Sequence, residues 1–423
     1  MLEVVRRGAP YALPHHGERP GAPAGVQIPK TLPGRGLPSA SSERLGSSAH
    51  PVVQARAMRG AARSAIAGFF PRRGASKPRL RCEDGGVPTP AEVIAVDGCD
   101  VRITNPDKVF FPKLPFTKLD LVNYYLSVMP AALVGCHRRP TTLYRWPNGV
   151  DAPEDAFYQK RVPDKGRPEW LQTSTVKFPS GRSAEMLAVE DAAHVAWAIN
   201  LGCMDLNPWP VRTKDVDHPD ELRVDLDPTP DIPFSDARDV ALVAREVIEE
   251  YGLKGFPKTS GKRGIHIFCR IEPRWGFKEV RKAALALARE VEQRAGGVAT
   301  TAWWKEERRG VFVDYNQNAR DRTMACAYSV RPVPDARVSA PLGWDEVGDV
   351  EPEDLTVLTV PARFKKVGDP GGAIDDVAGT LEPLLELAAR QESSGLGEAP
   401  LPPHFPKEAG EPPRVMPSRR RQR

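Results

Sequence analysis

The sequence predicts a layered α+β fold, and three observations carry that expectation. Short segments with two-residue apolar alternation are interleaved with longer segments of helical period through the middle of the chain. Pro 44 and Gly 35 make up nearly a fifth of the 423 residues and crowd toward the two ends. Strand–helix–strand–helix–strand order between such ends is the pattern of helices laid on a sheet, flanked by disordered termini.

Residues 1–90 are rich in Gly, Pro, Ser and Arg without a sustained period, so a disordered basic extension is expected, with at most a short helix over Val53–Phe70. It is either a basic arm that touches DNA or upstream sequence without a role, and its composition favours the second. The texture changes at Ala91. Val101 and Ile103 alternate with polar residues as in a strand, Pro106-Asp107 marks a turn, and Thr117 reads as the N-cap of a helix through Leu133. A second apolar helix is expected over Val189–Leu201. Leu222–Asp227 reads as a strand closed by Pro228, and Ser235 as the cap of a helix to Tyr251, stopped by Gly252. Gly264–Ile271 is the next strand, with Ile265, Ile267, Cys269 and Ile271 on one face, followed by a helix over Phe277–Ala295 ended by Gly296-Gly297. Strands are expected over Val311–Tyr315 and Tyr328–Arg331. Residues 91–350 form the catalytic body in this reading, 351–390 complete it with helices, and 391–423 are a disordered basic tail ending in Arg-Arg-Arg-Gln-Arg.

Charge and cysteine usage exclude several classes. The six cysteines (Cys82, Cys99, Cys136, Cys203, Cys269, Cys326) include no C-x-x-C pair and have no His at ligand spacing, against a zinc site or a disulfide framework. No apolar run approaches the roughly 18 residues that cross a bilayer, and the N-terminus lacks a signal-peptide core. A cytoplasmic, nucleoid-associated protein that does not engage membranes is expected. The net charge of +5 is unevenly placed: residues 1–90 hold 14 Lys+Arg against 5 Asp+Glu, and 391–423 hold 6 against 4. The body between them carries 40 basic and 46 acidic residues, so nucleic-acid contact must come from local basic patches.

In Leu222-Arg223-Val224-Asp225-Leu226-Asp227-Pro228, strand alternation puts Asp225 and Asp227 on one face and Leu222, Val224 and Leu226 on the other. Two carboxylates on one face repel unless a cation sits between them, and hard oxygen ligands suit Mg²⁺ or Mn²⁺. Alone, D-x-D is more often a solvated strand end. Asp314, closing Val311-Phe312-Val313-Asp314-Tyr315, offers a third carboxylate for a two-metal site. Lys258-Thr259-Ser260-Gly261-Lys262-Arg263-Gly264-Ile265-His266 joins glycines, a serine and basic side chains, as a phosphate-binding turn requires, although a basic hairpin turn shares those features. A Walker A spacing is absent.

The strings DLDP, KTSGKRGIH, FVDYNQN and AYSVR, in that order, resemble the polymerase domain of bacterial ligase D within the archaeo-eukaryotic primase superfamily. The likeness extends over roughly residues 95–350, through ITNPDKVFFP, FTKLDLVNYY, RWPNGV, AFYQKR, LNPWP and APLGWDEV. It implies a primase-like core of two mixed-sheet subdomains, the catalytic half resembling an RNA-recognition fold. It implies that Asp225, Asp227 and Asp314 are metal ligands, and that Ser260, Lys262, Arg263 and His266 hold the triphosphate of a ribo- or deoxynucleotide. Gln317 and Arg331 match further nucleotide contacts, Lys108 and Lys118 a pair that grips a downstream 5′-phosphate, and Phe157 and Tyr158 an aromatic pair for template bases. Three departures stand out: Asn207 where the family often has His, Tyr144 where it often has Lys, and Glu307 near the basic residue that precedes the third aspartate, for which Arg308 or Arg309 can substitute.

The implied reaction is transfer of a nucleoside monophosphate to a DNA 3′-hydroxyl, supported by two Mn²⁺ or Mg²⁺ ions, in gap filling and end processing for non-homologous end joining. With no K-x-D-G motif in the chain, a separate ATP-dependent ligase and a Ku-type end-binding partner are implied, with the polymerase itself a monomer. The rival readings are a primer-synthesising primase in replication, a non-catalytic DNA-end scaffold and a metal-dependent nuclease.

Overall fold

The alternation at Val101 and Ile103 folds as expected, into a hairpin of β1 (Ala91–Val96) antiparallel to β2 (Cys99–Thr104). The computed structural model describes residues 89–407 and 411–414, and the expected basic extension through residue 88, with its Val53–Phe70 helix, lies outside them. Asn105 takes a positive φ of 49° and turns the chain into the short pair β3 (Val109–Phe111) and β4 (Phe116–Thr117). Thr117 then caps α1 (Lys118–Cys136) reciprocally: the Asp120 N–H donates to Thr117 Oγ1 at 3.2 Å and the Thr117 N–H donates to Asp120 Oδ2 at 2.9 Å. Contrary to the expectation from the sequence, α1 is by length and composition apolar enough to cross a bilayer, with Asp120 and Asn123 as polar interruptions near its start. Half of this helix is buried, and Leu121, Val122, Tyr125 and Val128 lie in the core. It is the core helix of this body.

The first sheet joins β5 (Pro140–Arg145), β6 (Phe157–Gln159), β7 (Thr173–Lys177) and β8 (Ser183–Ala188) in the order β6-β5-β8-β7, with β9 (Cys203–Pro208) also paired to β5. Helix α2 (Ala192–Asn200) precedes β9 and starts three residues after the expected Val189, because the Asp191 carboxylate accepts the His194 N–H and fixes the N-cap.

The second sheet carries the candidate chemistry. It is ordered β11 (Gly255–Thr259), β12 (Ile265–Arg270), β10 (Glu221–Pro228), β14 (Val311–Asp314), β13 (Ala299–Thr300), antiparallel except for β13 against β14. Leu222, Val224, Leu226, Ile265 and Ile267 are all but sealed from solvent, in one core with Val240 and Val247 of α3 (Phe234–Glu250) and Leu287 of α4 (Phe277–Arg294). The opposite face is left to Arg223, Asp225 and Asp227. Helices α5 (Val360–Val367) and α6 (Glu382–Ser393) complete the body.

A charged knot anchors the first half of β10. Arg139, fully buried, donates to both oxygens of Asp220 (2.6 and 2.9 Å) and pairs with Glu221 at 2.9 Å. Arg223 holds the other Glu221 oxygen at 2.6 Å, and Arg270 reaches Asp220 at 3.0 Å and Glu221 at 3.1 Å. Burial alone would raise both acids, but the surrounding guanidinium groups outweigh it and hold them below the usual carboxylate range.

Three expectations are corrected. Ser235 is not a cap: Pro233 (φ −69°, ψ 158°) ends the extended chain, so α3 begins at Phe234 and the Ser235 hydroxyl turns to Asp236 at 3.3 Å. Tyr328–Arg331 is not a strand, because Tyr328 takes a φ of +65° and only an isolated bridge, Val330 with Val338, forms there. Residues 391–423 are not a free tail over their described part. Arg281 donates to the carbonyls of Ala399 (3.2 Å) and Pro400 (2.6 Å), and Trp303 Nε1 donates to the Arg414 carbonyl at 2.9 Å. Proline lacks an N–H but keeps its carbonyl, and the carbonyls of this Pro-rich strap accept from Arg281 and Arg289 of α4.

Candidate active site

Antiparallel register aligns four side chains in one row across the second sheet. Lys258 pairs with His266, His266 with Asp225, and Asp225 with Asp314, each directly opposite the next on β11, β12, β10 and β14. Directly opposed residues share a face, so the row points away from the helices. Asp227, two residues along β10, shares that face opposite Phe312.

Contacts along the row are short. Lys258 Nζ lies 2.7 Å from His266 Nδ1 and donates to Ser339 Oγ at 2.6 Å. When Lys258 is an ammonium it has no acceptor, so Nδ1 accepts and the proton of the neutral imidazole is on Nε2, which faces Asp225 Oδ1 at 3.4 Å. Burial, with Lys258 and Arg331 nearby, holds the His266 pKa well below its ordinary value. Burial beside Arg331 lowers Lys258 to about 7. The Gln317 amide donates to Asp225 Oδ2 at 3.1 Å and to Asp314 Oδ2 at 3.0 Å, bridging the two carboxylates. Burial, then the charges of Asp314 and Asp227, pushes Asp225 up to about 8, and burial raises Asp314 as well. The cluster thus holds more negative charge than its own side chains neutralise.

The Ser260–Gly264 turn closes the β11–β12 hairpin beside this row. Ser260 Oγ accepts the N–H groups of Lys262 (3.1 Å) and Gly264 (3.0 Å), leaving its hydroxyl proton for a partner outside the turn. A Cβ on Gly264 would stand 2.1 Å from the Leu226 carbonyl, and one on Gly261 would stand 2.4 Å from Arg331 Cγ, so both glycines are required by close approach. Lys262 and Arg263 are exposed at the tip. Arg331 pairs at 2.5 Å with the buried Asp205, whose other oxygen has no partner among the described residues. Asn207 points back to the Asp205 backbone, its amide donating at 3.1 Å to that carbonyl.

Residues 117–371 match the family described as LigD, primase-polymerase domain. The chain belongs to that family. It is 29% identical over 310 residues to the multifunctional non-homologous end joining protein LigD of Mycolicibacterium smegmatis, covering 73% of this chain and 40% of the relative. It is 30% identical over 273 residues to the bifunctional non-homologous end joining protein LigD of Bacillus subtilis, covering 64% of this chain and 43% of the relative. The chain thus spans about two-fifths of the length of these curated relatives. Among solved structures, the polymerase domain from Mycobacterium tuberculosis ligase D in complex with DNA aligns with a TM-score of 0.60 and 30% identity, over 66% of this chain and 98% of that one.

Against the LigD primase-polymerase pattern, the remaining expected residues sort unevenly. Lys108 and Lys118 do come together, with the Lys118 N–H donating to the Lys108 carbonyl at 2.8 Å. Lys118 is buried and also gives two of its ammonium protons to the carbonyls of Thr104 (2.7 Å) and Asn200 (3.1 Å). Burial, then Lys108 and Arg145, lowers it to about 8, so three cations crowd one place. Phe157 and Tyr158 do not form a single platform: consecutive on β6, they face opposite ways. Arg145 lies over the Phe157 ring at 5.1 Å, while Tyr158 stacks on Tyr144 at 4.1 Å with an interplanar angle of 5°. Asp225, Asp227 and Asp314 share a face, yet among the described residues no three His, Cys, Asp or Glu side chains converge on one metal-sized point. The converged pair is Asp225 with Asp314, and Gln317 serves that pair.

Sequence reasoning missed Lys258, although a hairpin centred on the turn pairs it with His266. It also missed Asp205, for which no local signal exists. Of the two candidates before the third aspartate, Arg308 is the one near the acids: its guanidinium lies 3.4 Å from the Phe312 ring and interacts with Asp314 and Asp227. Arg309 turns to the carbonyls of Glu306 and Arg308.

The raised Asp225 pKa makes a stability prediction. A carboxyl with a pKa near 8 in the folded chain and about 3.9 in the unfolded chain stabilises the fold in its protonated form. That contribution is whole below about pH 3.9 and is lost progressively up to about pH 8. In chelator-treated protein, the part of the pH dependence that disappears on Asp225→Asn should be a decline across that window, read by thermal melting. A variant with an unchanged pH profile would contradict the assignment.

Proposed function

We propose that this chain is a DNA-directed nucleotidyltransferase that extends 3′ ends at gaps and breaks, using Asp225, Asp227 and Asp314 as ligands for divalent cations. The carrying observation is the row Lys258–His266–Asp225–Asp314 beside the Ser260–Gly264 turn. The donor set fits Mg²⁺ or Mn²⁺, because it is all hard carboxylate oxygen and under-neutralised, with a neutral Gln317 amide between two acids. When bound, such ions lower the pKa of an attacking hydroxyl and neutralise charge on transferring phosphate oxygens.

The chain's own residues supply the rest. The Ser260 hydroxyl, Lys262, Arg263 and Arg331 place donors and positive charge where a triphosphate meets the acids. Neutral His266, held by Lys258, turns an N–H toward Asp225 and fixes that carboxylate without adding a competing cation. Lys108, Lys118 and Arg145 crowd like charges, an arrangement that a 5′-phosphate relieves. The exposed face of Tyr158, backed by Tyr144, offers a stacking surface for a template base. The under-neutralised acids favour a catalyst over a scaffold, since a pure DNA binder gains nothing from clustered negative charge near phosphates. The relatives are named for non-homologous end joining, which supports that role here. A Ku-type partner, a separate ligase and a place in the nucleoid are parts of the same proposal.

The test is primer extension with Mn²⁺ on a one-nucleotide gap, with and without a downstream 5′-phosphate, comparing ribo- and deoxynucleotides. Phosphate-stimulated lengthening of the primer is expected. Shortening of the primer, or no change on either substrate, would overturn the proposal.

A further inference from the structure

Asp314 ends β14 and caps the short 3₁₀ turn Tyr315–Asn318, so the placing of its carboxylate depends on what holds that turn. The Asn316 N–H donates to Asp314 Oδ1 at 2.9 Å, and the Gln317 amide donates to Oδ2 at 3.0 Å. Both oxygens are thus aimed by residues of the turn itself. The turn has two anchors. Asn318 clamps it to β10: its side-chain oxygen accepts the Arg223 N–H at 2.8 Å, and its amide donates to the Arg223 carbonyl at 2.7 Å. The second anchor is Arg281 of α4, whose Nε donates to Asn316 Oδ1 at 3.1 Å and whose guanidinium lies 5.3 Å from the Tyr315 ring.

A guanidinium keeps its charge and its donors when buried, so its N–H groups need acceptors. Arg281 is buried, and the oxygens it holds are neutral: Asn316 on one side, and the carbonyls of Ala399 (3.2 Å) and Pro400 (2.6 Å) on the other. The planar fork fixes the angle between these bonds. A strap that pins one edge of the guanidinium therefore sets the direction in which the other edge holds Asn316. Asn316 is buried as well, so losing that donor leaves its oxygen unpaired. The strap lies beyond residues 117–371, and this support reaches Asp314 from outside the family match.

We propose that Arg281 is a positioning residue for the metal site: pinned by the strap carbonyls, it holds Asn316 and, through the Asn316 main chain, fixes Asp314 for a divalent cation. The proposal rests on the metal reading above.

Two other roles for Arg281 give different results. Its charge acts on Asp314, and a cation beside a metal ligand competes with the metal. By charge alone, removing Arg281 would tighten Mn²⁺ uptake, whereas loss of positioning loosens it. A role confined to tying down the strap is shared by Arg289, which donates to the carbonyls of Leu396 (3.3 Å) and Gly397 (2.6 Å) by bonds that do not involve Asn316.

Free Mn²⁺ is measured by electron paramagnetic resonance with the chelator-treated full chain and with Arg281→Met, Asn316→Ala and Arg289→Met. Arg281→Met and Asn316→Ala should each bind Mn²⁺ about tenfold more weakly or worse, the scale of losing a group that orients a metal ligand. Arg289→Met should bind as the wild type does. If Arg281→Met melts early, Asn316→Ala reads the same link with the strap bonds of Arg281 intact. Unchanged or tighter uptake in either of the first two, or an equal loss in Arg289→Met, would refute the positioning role. Primer extension by the same proteins separates the readings. A wild-type chain that takes up Mn²⁺ but never extends a primer sinks the polymerase reading and leaves the positioning role to the uptake data, and one that takes up no Mn²⁺ sinks both.

Discussion

Asp225→Asn is expected to leave the sheet folded and to cut primer extension by about 10²–10³-fold or more, the scale of losing one preorganised electrostatic group. The reason lies in the register. Asp225 stands between His266 and Asp314 on neighbouring strands and shares Gln317 with Asp314, so it is the acid that any cation on this face must meet. The fold tolerates the change because the Asp225 charge opposes folding: burial and two neighbouring carboxylates already push its pKa to about 8. An isosteric amide removes that repulsion, so the variant's melting temperature at pH 8 should equal or exceed that of the chelated wild-type chain. Asp314→Asn should behave alike, through the other half of the pair. Extension at the wild-type rate by either purified variant would remove both acids from the mechanism.

Asp220→Ala should be the costliest single substitution for stability, about 3–5 kcal/mol, the range for breaking a buried ion pair from one side. Arg139 is sealed from solvent and places two of its three nearby carboxylate contacts on Asp220, and Arg270 and Arg212 lean on the same side chain. Removing the carboxylate leaves Arg139, Arg223 and Arg270 around Glu221, with the half-exposed Asp375 still paired to Arg270 and Arg212. The effect should reach the active face because Glu221 and Arg223 precede Asp225 on the same strand. Urea unfolding measures it, and a loss below about 1 kcal/mol would place the knot among ion pairs of no net weight.

What could be read in advance follows the range of the interactions. The Thr117 cap, the two faces of Leu222–Asp227 and the apolar set of Ile265 and Ile267 depend on neighbours a few residues away, and all were legible. Strand order was not: nothing local says that Asp314 pairs with Asp225, although alternation puts both on polar faces. Lys258 shows the intermediate case, since a turn centred on Lys262 implies its pairing with His266, yet the basic residues that stand out are Lys262 and Arg263 at the tip. Asp205 answers Arg331 across more than a hundred residues and leaves no local trace. Composition misled at the C-terminus, where a Pro-rich stretch resembles free tail but lends its carbonyls to Arg281 on α4. Alternation also separates Phe157 from Tyr158, which a motif match alone treats as a pair.

If the carboxylates on one sheet face hold divalent cations, Mn²⁺ titration of the chelator-treated chain will show the uptake. Free Mn²⁺ is followed by electron paramagnetic resonance near pH 7, with proton release recorded in weak buffer. Because Asp225 is largely protonated at that pH, uptake of Mn²⁺ should expel protons, and Asp225→Asn should lose both the uptake and the protons. A wild-type chain that leaves Mn²⁺ free, or an Asp225→Asn variant that takes it up as the wild type does, would mean that these acids do not hold the metal.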